Sequence, residues 1–157
     1  RENLMANDIR VVQVGRRTGL PEPVVRELDT TERTTASNRG LTLCLALNYG
    51  SRAEIVDGVR QIAERVRAGA LAPDQIDEHV ISDSLYTRTI PDPDLLIRTA
   101  GEMRISNFLL WQISYAELYI TPVLWPDFRE HELYDAIRTF AGRERRFGGV
   151  ERVAPVG

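Results

Sequence analysis

A charged loop, RTAGEMRIS, stands between two apolar stretches and contains residue types that bind anions. It carries Arg98 and Arg104, with Ser106 close behind. Guanidinium groups bind phosphate oxygens through paired hydrogen bonds and stay charged at any physiological pH. Two arginines and a hydroxyl suit a ligand with two phosphate groups better than one with a single carboxylate. The loop therefore predicts a diphosphate site.

The same charges also allow a purely structural interpretation. Arg98 and Arg104 could pair with Glu102, Asp92 or Asp94 and only hold the loop in place. Structural ion pairs at strand ends are frequent and phosphate loops are rarer, so spacing alone leaves the two interpretations equally favoured.

Glu117 is a second candidate, because it ends a predicted apolar helix, where a carboxylate needs a cation to meet it. A metal ion is one such cation. A surface position at the helix end is the alternative, and this argument alone favours it. His79 and His131 lie in no metal-ligand or triad pattern, and the chain contains neither GxGxxG nor GxxxxGK[ST].

The composition is that of one ordinary folded domain. The chain has 157 residues, a hydrophobic fraction of 43%, a charged fraction of 27% and a formal net charge of −3. This charge argues against general nucleic-acid binding. No apolar run approaches the roughly 20 residues needed to span a bilayer. The single cysteine, Cys44, is expected in the core and fits a reducing, cytoplasmic compartment.

Strands and helices alternate along the predicted fold. Valine-, isoleucine- and leucine-rich runs predict strands, and apolar residues at helical spacing predict helices. At 21–37 the helix is predicted from the proline that opens a mostly polar run. The predicted strands are 7–15, 41–50, 94–99 and 118–121. The predicted helices are 21–37, a segment with an apolar stripe from Ile55 to Val66, a short one around 74–80, 106–117, and a last one carrying Leu133 to Phe140. A charge run at Arg143, Arg145, Arg146 and Arg152 is expected to be a solvated helix end.

This order indicates an α/β fold with a mostly parallel sheet flanked by helices. The apolar run at 41–50 is expected to be covered on both faces. Ligands of such sheets sit beyond the carboxyl ends of the strands, where Arg98 falls. Ser106 is expected to cap a helix whose N-terminus also favours an anion.

Three stretches resemble the cis-prenyltransferases, the undecaprenyl diphosphate synthase family. They are PDPDLLIRTAGEMRISNFLLWQISYAELYITPVLWPDF at 91–128, LALNYGSRAEIVDGVR at 45–60 and RERRFGG at 143–149. The resemblance implies that residues 1–149 are the C-terminal portion of a single cis-prenyltransferase domain. Residues 150–157 are then expected to be a flexible tail.

The resemblance also implies a reaction. Such a protein condenses isopentenyl diphosphate with an allylic diphosphate, such as farnesyl diphosphate, with the help of Mg²⁺. Arg98, Arg104 and Ser106 match the family positions that hold the diphosphate of isopentenyl diphosphate. Glu102 matches a glutamate that orients the arginines, and Glu117 matches one implicated in magnesium binding.

Other matches concern the scaffold and a partner subunit. Arg146 and Gly148 match an arginine-x-glycine motif that reaches the partner's site in the family's dimer. Asn48, Tyr49 and Arg52 match a block near the site for which a scaffolding role is expected. The implied protein is a cytoplasmic homodimer that makes a polyprenyl diphosphate, by default the undecaprenyl carrier of bacterial cell-wall assembly. Its lipid product would bring it into peripheral contact with a membrane.

One family block is missing from the sequence. Family members carry an Asp-Gly-Asn-x-Arg block near the N-terminus, whose aspartate is the essential magnesium ligand, and this chain contains none. The N-terminal part of the family domain is therefore expected to be absent, and no catalytic residue is expected in this chain. Three alternatives follow: an incomplete representative of a normal enzyme, a non-catalytic partner subunit, and a phosphate-binding α/β module without a transferase role.

Overall fold

The computed structural model describes residues 1–143, and this range contains five helices and four parallel strands. The expectation of a flexible tail at 150–157 lies outside the described residues. The helices are α1 (Glu2–Ala6), α2 (Glu22–Thr35), α3 (Ser51–Arg67), α4 (Glu78–Ser82) and α5 (Glu130–Ala141). The strands are β1 (Arg10–Val14), β2 (Thr42–Ala46), β3 (Leu95–Arg98) and β4 (Glu117–Ile120). Short 3-10 turns occupy Pro73–Gln75 and Trp125–Asp127.

The strands form two parallel pairs. β1 pairs with β2, with Val12 opposite Cys44, and β3 pairs with β4, with Arg98 opposite Ile120. Parallel strands need long crossover connections. Helix α2 supplies the one between β1 and β2, whereas the connection between β3 and β4, residues 99–116, consists of turns and irregular chain. The predicted α/β class, with parallel strands flanked by helices, is confirmed.

The chain divides into two units. The first comprises residues 1–91 and 107–109, and the second comprises, within the described range, residues 92–106 and 110–143. Each unit therefore contains one of the two strand pairs. The assignment of residues 1–149 to one family domain stays a prediction.

The first unit packs α2 against β1. Val11 and Leu28 are buried, and the Val11 N–H group donates to the buried Thr35 hydroxyl at 3.0 Å. This bond satisfies a strand donor inside the core and fixes the last turn of α2 against the strand.

Helix α3 buries only part of the stripe that its apolar residues predict: Ile62 is buried, and Ile55 and Val66 are half-buried. Its buried residues lie on one stripe and are Ser51, Glu54, Gly58 and Ile62. Val56 and Val59 of the predicted stripe are exposed, Val59 to 57%. Gly58 permits close packing on this face, because a Cβ there would lie 3.2 Å from the Ser84 carbonyl oxygen. Close approach and polar contacts, more than apolar content, decide which face is buried.

Strand β2 is less covered than the apolar run at 41–50 predicts. Leu41 is 64% exposed, Leu43 is also exposed, and Cys44 is half-buried where a core position was expected. A continuous apolar run indicates a strand that needs cover on both faces. Within residues 1–143, α2 packs against β1 and leaves part of β2 open.

The helix predicted for 106–117 is wrong. The stretch from 106 to 115 is a succession of turns, and Ser106, Asn107 and Leu109 have φ angles of 55°, 61° and 49°. An α-helix needs a negative φ at every residue, so these left-handed residues exclude one. Ser106 therefore caps no helix, and no helix dipole at this point favours an anion.

Helix α5 carries its apolar residues on one face, as the sequence predicts, but only part of this face is buried. Ala136 is fully buried, while Leu133 and Ile137 on the same face remain exposed. Among the described residues, no helix combines the length and the apolar character that crossing a bilayer requires.

Candidate functional site

The second unit carries an open cavity of about 350 Å³ on one face of the β3–β4 pair. Alternate residues of a strand share a face, so Leu96 and Arg98 lie on the same side as Leu118 and Ile120. The loop after β3 forms the rest of the wall. The lining residues are Leu96, Arg98, Glu102, Met103, Arg104, Ile105, Leu118 and Ile120.

Arg98 and Arg104 meet on one carboxylate in this cavity. Arg98 Nη2 donates to Glu102 Oε2 at 2.9 Å, and Arg104 Nη2 contacts the same oxygen. The hydrogen bond from Arg98, with a further contribution from Arg104, lowers the pKa of Glu102 below its usual value. Glu102 therefore stays ionised near neutral pH and holds both guanidinium groups together. One carboxylate faces two cations, so the cluster keeps a surplus of positive charge.

A tight turn brings Glu102 back to Arg98. Ala100 and Gly101 have φ angles of 63° and 64°, and their N–H groups donate to the Val123 and Thr121 carbonyls, each at 2.8 Å. Left-handed backbone is readily adopted by glycine and is unfavourable for alanine. A sharp turn thus follows Arg98, and two hydrogen bonds to the chain after β4 stabilise it.

Arg98 also carries a donor that the ion pair does not use. Its Nε atom is buried and has no hydrogen-bond acceptor among residues 1–143. A buried donor without an acceptor is costly, and such atoms are rare in folded proteins. The structural interpretation of the loop accounts for the contact with Glu102 but leaves this N–H group unexplained.

Glu117 begins β4, so the prediction that it ends a helix is wrong. Arg143 Nη1 donates to Glu117 Oε2 at 2.6 Å and to the Leu118 carbonyl at 3.0 Å. The cation that meets this carboxylate is therefore an arginine. Arg143 was expected to be a solvated member of a charge run, and no sequence signal indicates so distant a partner.

The described residues do not form a metal centre. Within residues 1–143, no group of three or more His, Cys, Asp or Glu side chains could hold a metal ion. Glu117 is paired with Arg143, and strand alternation turns it away from the face that Leu118 and Ile120 share. The donor set therefore does not fit Mg²⁺, and the magnesium requirement stays a prediction.

Only some of the predicted site residues lie close together in the structure. Arg98, Glu102 and Arg104 come together in the cavity. Ser106 is exposed and follows the lining residues without being one of them. Arg146 and Gly148 lie outside the described residues.

The block at 45–60 makes scaffolding contacts in the first unit. Asn48 Nδ2 donates to the Arg16 and Thr18 carbonyls at 3.1 and 3.0 Å. Tyr49 Oη donates to the buried Glu54 carboxylate at 2.6 Å. Burial and this acidic partner raise the pKa of Tyr49, so the phenol remains a hydrogen-bond donor.

Sequence comparison decides the family. The model of a family described as putative undecaprenyl diphosphate synthase matches residues 1–148. The chain belongs to this family. The resemblance of the blocks at 45–60 and 91–128 to cis-prenyltransferases is thereby confirmed.

Curated members of the prenyltransferase family are similar over nearly the whole chain. An isoprenyl transferase of Geobacillus kaustophilus is 50% identical over 147 residues, which are 94% of this chain and 57% of the relative. A farnesyl-diphosphate-specific ditrans,polycis-undecaprenyl-diphosphate synthase of Escherichia coli is 49% identical over 150 residues, which are 96% of this chain and 59% of the relative. The chain thus spans about three fifths of the length of these relatives.

Solved structures of the family share the fold. Lavandulyl diphosphate synthase from Lavandula x intermedia, in complex with dimethylallyl diphosphate, gives a TM-score of 0.91 at 41% identity, over 94% of this chain and 64% of the other. A probable undecaprenyl diphosphate synthase from Campylobacter jejuni gives a TM-score of 0.81 at 32% identity, over 94% and 66% of the two chains.

Proposed function

We propose that the protein takes part in cis-prenyl transfer, the condensation of isopentenyl diphosphate with an allylic diphosphate. In this proposal the β3–β4 cavity holds isopentenyl diphosphate. Membership of the family, and about half of all positions identical to named isoprenyl transferases, support the reaction class. The observation that carries the site is the pair of arginines, Arg98 and Arg104, held together on Glu102 in the lining of a cavity whose other walls are apolar.

The cavity has the two surfaces that isopentenyl diphosphate needs. Leu96, Leu118 and Ile120 provide an apolar floor for a short hydrocarbon tail. Arg98 and Arg104 provide the charge for a diphosphate, and the bond to Glu102 keeps them in place before the ligand arrives. A ligand with only a charged head or only an apolar tail would leave one of these surfaces unused.

The residues of this chain act by binding and orienting the substrate. In the reaction the double bond of isopentenyl diphosphate attacks the allylic carbon while the allylic diphosphate leaves. Fixing the head group of the attacking substrate limits the directions in which its double bond can point, which is worth several orders of magnitude in rate in well-oriented systems. We assign no catalytic residue within this chain.

The proposal extends to substrates, partners and location. The allylic substrate is farnesyl diphosphate, for which the Escherichia coli relative is named. The product is a polyprenyl diphosphate of the undecaprenyl type, which serves as a cell-wall lipid carrier and brings the protein into peripheral membrane contact. The protein works in the cytoplasm as a homodimer, and it uses Mg²⁺ carried by the substrates. Exposed apolar side chains in the second unit, Trp125 and Leu124 among them, support self-association.

Calorimetric titration with isopentenyl diphosphate, with and without Mg²⁺, tests the site. We expect the chain to bind the ligand, and Arg98→Ala and Arg104→Ala each to weaken binding by about tenfold or more, because each removes a charge-assisted contact. Arg88→Ala, at an exposed position outside the cavity, is the matched control and should bind like the parent chain.

Two further outcomes decide the proposal. Parent-like affinity in both cavity variants would refute the diphosphate assignment. Incorporation of radiolabelled isopentenyl diphosphate into a longer product, with farnesyl diphosphate and Mg²⁺ present, would establish the transfer reaction itself.

A further inference from the structure

A second cavity, of about 470 Å³, opens where strands β1 and β2 begin, and we call it the edge cavity. Its residues all belong to the first unit, and it shares none of them with the β3–β4 cavity. Ligands of parallel sheets usually bind at the opposite, carboxyl edge, so the fold alone assigns no role to this one. The lining residues are Arg10, Ala36, Ser37, Asn38, Arg39 and Thr42.

The two parallel strands bring Arg10 and Thr42 together. Arg10 is the first residue of β1, Thr42 is the first residue of β2, and the two are partners in the register of the pair. Partners in neighbouring strands project their side chains to the same face of a sheet. A guanidinium group and a hydroxyl group therefore stand side by side at the edge where the chain enters both strands.

The segment after α2 supplies the second arginine on a fixed backbone. Asn38 is buried, and its Nδ2 atom donates to the Ile9 carbonyl at 2.8 Å, which ties the segment to the residue before β1. The Arg39 N–H group donates to Asp8 Oδ1 at 3.0 Å, and the Gly40 N–H group donates to the Asp8 carbonyl at 3.1 Å. The walls of the cavity are therefore held in place by the protein itself, which lowers the entropy cost of binding a ligand.

The lining of the edge cavity contains two cations and no carboxylate. Within residues 1–143, neither the Arg10 nor the Arg39 guanidinium group pairs with an acidic side chain. Asp8 does not line the cavity, and its Oδ1 atom accepts from the backbone of the segment. The arrangement differs in this respect from the β3–β4 cavity, where Glu102 bridges the two arginines.

We propose that the edge cavity binds a phosphate group, carried by a free diphosphate or by the head group of an anionic phospholipid. Guanidinium groups bind phosphate oxygens through parallel hydrogen bonds, and the hydroxyl groups of Ser37 and Thr42 add further donors. A phosphate group carries more than one negative charge at neutral pH, whereas a single carboxylate would leave one of the two cations unpaired. The volume falls within the range of small-molecule sites. This inference is independent of the function proposed above.

Amide chemical shifts measure binding residue by residue. We expect sodium diphosphate, titrated without Mg²⁺ at constant ionic strength, to shift the amide signals of Arg10, Arg39 and Thr42. Arg10→Gln and Arg39→Gln should each weaken this binding by about tenfold, because each removes a charge-assisted contact. Arg65→Gln, at an exposed position of α3 outside the cavity, is the matched control and should bind like the parent chain.

Cosedimentation with lipid vesicles identifies the source of the phosphate. Binding of the parent chain to vesicles of phosphatidylglycerol, absent with phosphatidylcholine and weakened about tenfold by Arg10→Gln and by Arg39→Gln, would assign the site to a lipid head group. Shifts with diphosphate, without vesicle binding that depends on these arginines, would assign it to a free anion. Both results support a phosphate site.

Two results would overturn the proposal. One is the absence of shifts at these amides with millimolar diphosphate, together with vesicle binding that neither arginine affects. The other is equal shifts with sodium acetate at the same ionic strength, because the cavity would then not distinguish phosphate from a single carboxylate. Arg98→Ala, in the β3–β4 cavity, should leave the shifts at the edge cavity unchanged, so the two sites succeed or fail separately.

Discussion

Arg98 combines two tasks in one side chain. Its Nη2 atom holds Glu102, and its buried Nε atom lacks an acceptor among the described residues. Both interpretations of the loop predict the contact between Arg98 and Glu102. One treats it as a structural ion pair, and the other treats it as a contact that orients the arginines. What favours a ligand is the second arginine, Arg104, on the same carboxylate, because two cations facing one carboxylate leave a surplus of positive charge. A planar guanidinium can serve both partners at once because its donors point in different, fixed directions.

Lysine at position 98 should therefore bind the diphosphate less tightly than arginine, even though it keeps the positive charge. We expect Arg98→Lys to weaken isopentenyl diphosphate binding by about tenfold, because one ammonium group cannot hold Glu102 and a phosphate in the same planar arrangement. Arg65→Lys, on the exposed surface of α3, is the control. The measurement is calorimetric titration, and parent-like affinity of Arg98→Lys would mean that charge alone suffices.

At the scale of elements, a carboxylate on α3 links three parts of the first unit. Asp57 accepts hydrogen bonds from Arg16 Nε and Nη2, both at 2.8 Å, and from the Tyr86 hydroxyl. Arg16 follows β1, and Tyr86 follows α4, so both segments are tied to the helix. The bonds from Arg16 first, and then from Tyr86, lower the pKa of Asp57 from 3.8 to about 2.

This pKa predicts acid sensitivity with a definite sign. Because the folded-state pKa is depressed, the ionised carboxylate stabilises the fold at pH values above about 4. That contribution is lost as the pH falls towards 2. We expect the free energy of unfolding in urea to fall across this range in the parent chain and to fall less in Asp57→Asn.

At neutral pH, Asp57→Asn should lower the free energy of unfolding by about 1–2 kcal/mol, since it removes charge-assisted hydrogen bonds. Asp83→Asn, at an exposed position, is the control for the change of charge. The same pH slope in the parent chain and in Asp57→Asn would assign the acid sensitivity to other carboxylates.

At the scale of the whole molecule, large apolar side chains remain on the surface of the second unit. Met103 is 85% exposed and Trp125 is 73% exposed, and Trp125 stacks on Phe128 with ring centroids 6.0 Å apart. Exposed apolar patches of this kind favour association, and aromatic residues are enriched in protein interfaces.

Self-association should therefore depend on Trp125. We expect light scattering to detect a species larger than the monomer at micromolar concentration, and Trp125→Ser to weaken its formation by about tenfold, as loss of a buried aromatic anchor does. Met5→Ser, a change at an exposed apolar residue of the first unit, should leave the equilibrium unchanged. A monomeric parent chain would contradict the proposed homodimer.

Local residue patterns predict most of the secondary structure and the family of this protein. Apolar runs predict all four described strands, and helical spacing predicts α3 and α5, because these patterns follow directly from the repeats of strand and helix. Proline at a helix start predicts α2. The arginine loop and the turn at Ala100 and Gly101 can also be predicted from the sequence, because the charged residues and the glycine lie within one short segment. The family is readable from the blocks at 45–60 and 91–128.

Only the tertiary structure decided how distant residues meet. The segment from 106 to 115 has helical composition, yet Asn107 adopts a left-handed conformation and caps α3 instead. The pairing of Arg143 with Glu117 joins residues that no local pattern relates. The unsatisfied Arg98 Nε exists only because packing around the strand pair buries it. Such features depend on free energies of long-range contacts, which compete with local preferences and leave no periodic trace in the sequence.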